Sequence, residues 1–426
     1  MILSFIFRPG TRVMVNAKIL MLVLISNCQH SVAQTPVTLN EAIGLALENN
    51  PAIQTASLEV QQQQHLLKTA TAIPKTTVTA TFGQYNSVVK DDNNFGVSQT
   101  IPFPTVWLKQ SALGRAMVSR QEMNKQATEN DILFQVSNVY VQLTFLEAKH
   151  ALLLQQDSLY HNLMIAADRR HSTGESTLLE KISAETQWNE VKNRLHQNES
   201  GKLIYQSQLN ILLGNSGDYT AATSLEQLEI DQQGQIEQNP QLHYHRQQVE
   251  VTARRKKVEA AYFLPEITVG FFSQTLIGFQ TVDGQERYFG SGDRFQGIEV
   301  GLSLPLWFAP HTAKIKAAAL ENEVADQQYK AYHQQLAGRY EQALKEHAKT
   351  SASLQYYNTY ALPNASDLIR QNDLAFRAGE IDYTTYLMNL KNAVTIREGY
   401  IGTLKDHLLN SITLNYLTGN ILIREN

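Results

Sequence analysis

The sequence predicts a mainly α protein with a membrane β-barrel, built from a unit of helix, strand hairpin, long helix and helix that occurs twice. Three observations carry this. Thr105 to His171 runs for about 67 residues without a proline and with one glycine, Gly114, which at a rise of ~1.5 Å per residue makes a helix on the order of 100 Å long. Short stretches of period-two alternation stand just before each long helical segment. The whole order then repeats about 190 to 205 residues later, a tandem duplication rather than a short solenoid repeat.

Within the long segment Ile132, Val139, Leu146 and Leu153 recur every seventh residue, with Leu133, Val136, Tyr140 and Leu143 beside them. Two adjacent stripes mean two packed sides, a helix with neighbours to left and right. An ordinary long coiled coil is the alternative on this stretch alone.

The amino terminus, residues 1–33, reads as a secretory signal. Lys18 precedes the apolar run Ile19 to Ile25, and Ser31-Val32-Ala33 places small residues where a signal peptidase needs them, so the mature chain is expected to begin at Gln34. Met14 could serve as the start instead of Met1. The run is too short to span a bilayer, which takes ~20 apolar residues. The sole cysteine, Cys28, excludes an intrachain disulfide. Lipidation at Cys28 is the alternative processing route, although Asn27 is a poor neighbour for it. The leader holds Arg8, Arg12 and Lys18 and no acid; without it 33 basic and 40 acidic residues remain, a charge of −7. That balance argues against nucleic acid as a partner.

The first repeat spans 34–214. Thr38 with Glu41 forms a capping box before a short helix, and Asn50-Pro51 caps the next, which should end before Pro74. A hairpin follows over 76–102. Val78, Ala80 and Phe82 alternate with Thr77, Thr79 and Thr81, a polar loop Lys90 to Asn94 reverses the chain, and Phe95, Val97 and Ile101 alternate with Gly96, Ser98 and Thr100. The long helix is expected over 105–171, a glycine turn at Gly174, and a further helix over 176–213. Residues 215–238 read as a polar, irregular linker. The second repeat, 239–419, answers element by element: Asn239-Pro240 for Asn50-Pro51, a hairpin over 266–305 around a glycine-rich loop, a long helix over 311–378, a turn at Gly379 and a helix over 381–418. A tail, 420–426, ends the chain.

Lengths constrain the arrangement. Pro51 to Ile73 gives about 35 Å and Ser176 to Leu213 about 57 Å, together close to the long helix. Two helices stacked end to end therefore run beside one long helix, with hairpins at one pole and glycine turns at the other. Four strands cannot close a barrel, for which ~8 is the practical minimum, and an isolated hairpin is marginal in water. Several chains must pool strands. A soluble sandwich of amphipathic strands is the alternative.

The doubled order, with Leu39-Asn40-Glu41-Ala42 to Asn49-Asn50-Pro51, the strand ends Ser98 to Pro102 and Leu302 to Pro305, and the turns Thr173 to Ser176 and Arg377 to Glu380, resembles the TolC family of outer-membrane efflux proteins. The resemblance implies a homotrimer with a twelve-stranded barrel in outer-membrane lipid and a twelve-helix tunnel across the periplasm. It implies partners: a periplasmic adaptor and an inner-membrane RND transporter. Ile101-Pro102-Phe103-Pro104-Thr105 and Gly174-Glu175-Ser176 to Leu179-Glu180-Lys181 look most like members serving heavy-metal pumps of the cobalt-zinc-cadmium and copper-silver class. Drug efflux or type I protein secretion is the alternative cargo, and a soluble periplasmic coiled-coil scaffold the alternative class.

No catalytic or cofactor-binding constellation is present in the sequence, so an enzyme is not expected. His243-Tyr244-His245 would be a poor chelate on a helix and could ligate metal only on a strand; no metal site is expected. The resemblance makes Thr173, Gly174, Glu175, Ser176, Arg377, Gly379, Glu380 and Ile381 the adaptor-docking tips. Family members carry acidic gate rings about two turns past the second glycine. Thr385 and Met388 stand at those positions here, leaving Glu180 and Asp382 as the nearest acids.

Overall fold

The architecture comes from a computed structural model that describes residues 35–84, 88–214, 217–230, 234–420 and 424–425. The expected leader with Cys28 lies outside the described residues, as does most of the tail. A first strand, β1 (Thr35–Val37), leads into α1 (Leu39–Asn49) and α2 (Pro51–Leu67). The capping box forms as expected: the Glu41 amide donates to Thr38 Oγ1 and the Thr38 amide to Glu41 Oε2 at 2.8 Å. A 3-10 turn, Lys68–Thr71, ends the helical run before Pro74. β2 (Thr77–Phe82) and β3 (Asn93–Ile101) form the first hairpin, followed by α3 (Pro104–Ser172), 69 residues without interruption, and α4 (Leu178–Leu213).

The linker is more ordered than its polarity suggested. β4 (Tyr219–Ala221) pairs parallel with β1, and β5 (Leu228–Glu229) pairs with β10 (Arg424–Glu425). Tyr140, fully buried on α3, donates its hydroxyl to the Val37 carbonyl at 3.0 Å and accepts from the Thr223 amide at 3.2 Å. That side chain fastens both strands to the waist of the rod. The partners are some 180 residues apart in sequence, which no local pattern can reveal.

The second repeat runs α5 (Pro240–Ala261), β6 (Glu266–Gln274), β7 (Gly278–Val282), β8 (Gln285–Phe289), β9 (Phe295–Ser303), α6 (Phe308–Tyr356), α7 (Leu362–Ala378) and α8 (Tyr383–Thr418). Two expectations need correction. The glycine-rich loop inside the second hairpin is itself a hairpin, β7 with β8, turning at Asp283 (φ 54°) and Gly284 (φ 79°). Asp-Gly at a two-residue turn supplies both positive φ values. The second long helix is not uniform. A π turn, Tyr357–Ala361, precedes Pro363, whose ring lacks an amide donor and would crowd the carbonyl of Thr359 in a regular helix.

The duplication closes at the waist through one contact made twice. Asn50 accepts the Ala52 amide at 2.9 Å, capping α2, and donates to the Leu212 carbonyl at 2.7 Å near the end of α4. Asn239 accepts the Leu242 amide at 3.0 Å, capping α5, and donates to the Leu417 carbonyl at 3.2 Å near the end of α8. Each asparagine thus joins the start of one helix to the end of another, which stacks the shorter helices end to end beside the long one. Gly214 (φ 65°) and Gly419 (φ 72°) end α4 and α8 in left-handed turns. A Cβ on Gly214 would lie 2.5 Å from the Asn49 carbonyl oxygen, and one on Gly419 2.6 Å from Pro240 Cδ.

Gly214→Ala should therefore destabilise by about 2–4 kcal/mol, a left-handed penalty of ~1 plus steric overlap. Gly174→Ala, where nothing lies within 4 Å of the added carbon, should cost only the ~1 kcal/mol of the backbone term. Thermal unfolding of the purified variants measures the difference; equal shifts would contradict the junction.

Candidate functional site

The strands at one pole form a single antiparallel sheet in the order β2-β3-β6-β9. Its register sorts the side chains. Val78 faces Val97, Ala80 faces Phe95, Val97 faces Phe271 and Ile101 faces Ile267, while Ile267, Val269 and Phe271 face Leu302, Val300 and Ile298. One face is therefore mainly apolar across all four strands, and the other carries Thr79, Ser98, Thr268, Glu299 and small glycines, with Phe272 lying over Gly297. The apolar face is uncovered: Ile298 is 77% exposed and Val78 74%. β2 and β9 are free edges within the chain. Sheets in water bury their apolar face and cover their edges, and within this chain neither is done.

Among the described residues no helix is long and apolar enough to cross a membrane. Aromatic and large apolar side chains collect where the strands meet the helices: Phe103, Leu306, Trp307 and Phe308 are all exposed. Phe263 packs against Phe308 at a centroid distance of 5.6 Å.

At the other pole lie both glycine turns. Gly174 (φ 79°) and Gly379 (φ 75°) end α3 and α7, and the following amides bond back five residues: Glu175 to the Arg170 carbonyl at 2.8 Å and Glu380 to the Ala375 carbonyl at 2.9 Å. This is the same helix stop twice. Thr173, Glu175, Arg377 and Glu380 are exposed, whereas Ser176 and Ile381 are partly covered. The two tips are neighbours, because Tyr160, Leu163 and Ala167 of α3 and Ala184 of α4 share one buried cluster with Tyr383 and Tyr386 of α8.

The acids near the tips have local roles. Asp382 caps α8, its Oδ1 accepting the Thr385 amide at 2.8 Å; the Thr385 hydroxyl first, and this amide second, hold its carboxyl below the usual range. Glu180 is half-buried with Oε2 enclosed and without a hydrogen-bond partner. It acts on Tyr383, whose hydroxyl is also enclosed and whose pKa is pushed up to about 12, first by burial and then by Glu180. The sequence reading missed Tyr383, although its spacing from Tyr386 and Leu390 marks an apolar helix face. Met388 is exposed and Thr385 partly so. Asn372, 4% exposed, donates to the Tyr386 carbonyl at 2.8 Å and ties α7 to α8.

His243 and His245 lie on α5, where alternate residues diverge, and His245 stacks on Tyr332 with centroids 4.7 Å apart. Among the described residues no group of three or more histidine, cysteine or acidic side chains could hold a metal ion.

Residues 42–215 match the family model described as outer membrane efflux protein. The chain also superposes on solved channels along nearly its whole length. The fold is one shared by solved outer-membrane channels. CmeC, an outer membrane channel of Campylobacter jejuni, aligns with a TM-score of 0.73 at 14% identity over 89% of this chain and 85% of that one. CusC aligns with a TM-score of 0.75 at 15% identity over 91% and 93%. The outer membrane protein VceC of Vibrio cholerae gives 0.72 at 16% identity over 90% and 96%. No curated protein matches the sequence. The family match covers the first repeat, and the structural likeness extends the architecture through the second.

Asp382→Asn should preserve the start of α8, since asparagine caps as well as aspartate, while Asp382→Ala should fray it. Hydrogen exchange at residues 383–386 reads this: several-fold faster exchange in the alanine variant alone is expected. Equal acceleration in both would mean that the charge, not the cap, is what matters.

Proposed function

We propose that this chain forms, as a homotrimer, the outer-membrane channel of a tripartite efflux system. It conducts substrate passively from an inner-membrane RND transporter and a periplasmic adaptor to the exterior. The observation that carries the reading is the four-stranded sheet with one uncovered apolar face and two free edges, mounted on helices of about 100 Å. Three copies supply twelve strands, enough to close a barrel around a lumen lined by the threonine, serine and glycine face. The helical body then stands in the periplasm with its glycine turns directed toward the inner membrane.

In this reading Thr173 to Ser176 and Arg377 to Ile381 dock on the adaptor. Their left-handed glycines present Glu175 and Glu380 at the extreme end of the rod, and open space around both glycines leaves room for a partner. The gate lies at the same pole, where Glu180 backs Tyr383 and Asp382, Thr385 and Met388 begin α8. Heavy-metal cations are the proposed cargo, read from the strand-to-helix run Ile101 to Thr105 and the Gly174 to Lys181 segment. A conduit needs no tight metal site, since tight binding would slow release.

Gly174→Val or Gly379→Val should strain the positive-φ turn by ~1 kcal/mol or more and displace the adjacent glutamate. Trimer mass in detergent should survive, efflux should fall, and cross-linking to the adaptor from cysteines placed at Ser176 or Ile381 should weaken. If both variants keep full efflux and cross-linking while changes between Asp283 and Asp293 abolish them, the molecule is oriented the other way round.

A further inference from the structure

The chain as a whole is acidic, with 36 basic and 40 acidic residues, yet its charge is sharply segregated where helices meet strands. Four segments lie there side by side. Gln110 of α3 donates to the Tyr262 hydroxyl just past α5, and a Cβ on Gly114 of α3 would meet Leu67 Cδ1 of α2 at 2.6 Å. Phe263 packs on both Phe308 and His311, with centroids 5.6 and 5.8 Å apart, bringing in the start of α6.

At this level α2 is followed by Lys68 and Lys75, and α3 begins with Lys109 and Arg115. Residues 65–76 and 103–116 contain no acid at all. The end of α5 carries Arg254 to Lys257 against Glu259, β6 opens with Glu266, and α6 begins with Lys314 and Lys316. Arg254 is paired with Glu250 and Arg255 with Glu321. The lysines and Arg115 are exposed and form no ion pair among the described residues. The collar directly adjoins the exposed Leu306, Trp307 and Phe308, which continue the apolar sheet face.

We infer that this collar binds the anionic headgroups of the periplasmic leaflet of the outer membrane. The inference rests on the channel reading, which sets the sheet in the bilayer and the helices below it. Apolar strand face, aromatic band and cation ring then follow one another along the axis in the order of acyl chains, interface and phosphates. Lysine stems lie along the interface while their ammonium groups reach the phosphate. Three copies would close the collar into a ring around the barrel.

The test uses the detergent-purified full-length protein with phosphatidylglycerol or phosphatidylcholine, counting retained lipids by native mass spectrometry. Wild type should prefer phosphatidylglycerol by roughly tenfold or more, given about a fivefold effect per cation at a membrane surface. The preference should shrink as salt rises. The combined variant Lys68→Gln, Lys75→Gln, Lys314→Gln and Lys316→Gln should lose it, while Arg169→Gln, Arg170→Gln and Arg377→Gln at the opposite pole should not. Should the combined variant fail to fold, the salt dependence of wild type still decides. Equal retention of both lipids by wild type overturns the inference, as does a combined variant that keeps its lipid preference but changes its anion selectivity in a bilayer, which would place the collar on the conduit. Failure of the channel reading looks different: wild type would then neither need detergent nor conduct across phosphatidylcholine.

Discussion

The constraint on which the rest depends is the unfinished sheet. Every backbone donor and acceptor inside a bilayer must be satisfied within protein, and this chain offers four strands with unpaired groups on β2 and β9. One chain cannot resolve that. The two hairpins meet through β3 and β6, Phe95 opposite Ser273 and Val97 opposite Phe271, so each chain presents one pre-assembled four-stranded panel, not two independent hairpins. Buried Asp92 holds the upper end of this seam: its Oδ1 accepts from Thr275 Oγ1 and the Ile277 amide, both at 3.0 Å. β2 and β9 run antiparallel to each other, so successive copies related by rotation can continue the ladder with the same sense. On the channel reading, that geometry ties the apolar face, the polar face and the need for several chains to one cause.

Below the sheet the helices solve a different problem, holding a fixed length with little apolar material. α3 has no strongly one-sided pattern; its buried residues include Ser137, Thr144 and Gln156 among Val136, Tyr140 and Leu143. Thr144 and Gln156 are accepted because they are bonded. Gln156 donates to Glu398 of α8 at 3.0 Å, and Glu398 also pairs with Arg194 of α4, so three helices meet at one carboxylate. Such networks cost desolvation but specify which helix lies beside which. The asparagine junctions at the waist do the same for helix ends, and they do it twice because the repeat was copied with its caps.

Much of this was legible in the sequence because its punctuation is local. Asn-Pro starts, proline stops, glycine turns and alternating strands each act within a few residues, and their recurrence in tandem is what marks the repeat in the sequence. Pro363 was equally local but was passed over in a strong helical pattern, and Asp283-Gly284 was read as loop although it specifies a tight hairpin. What could not be read was contact between distant segments: β1 with β4, Asn50 with Leu212, or Glu180 with Tyr383. Helix lengths alone lead to the expectation that both turns share one pole, yet the capping role of Asp382 depends on which residue begins α8. Glu180 is half-buried and acts on Tyr383 of α8, a pairing of distant segments that no local pattern marks.

The central claim is that β2 of one chain completes the sheet against β9 of the next. Its most direct measurement is oxidative cross-linking of paired cysteines, Thr79→Cys on β2 with Glu299→Cys, Gly301→Cys or Ser303→Cys on β9, in protein extracted from membranes. All four positions lie on the polar face of the sheet. At least one pairing should give a covalent species of three chains on a denaturing gel, reversible by reductant and absent from either single variant. A detergent-free monomer that cross-links in none of these registers would contradict the account.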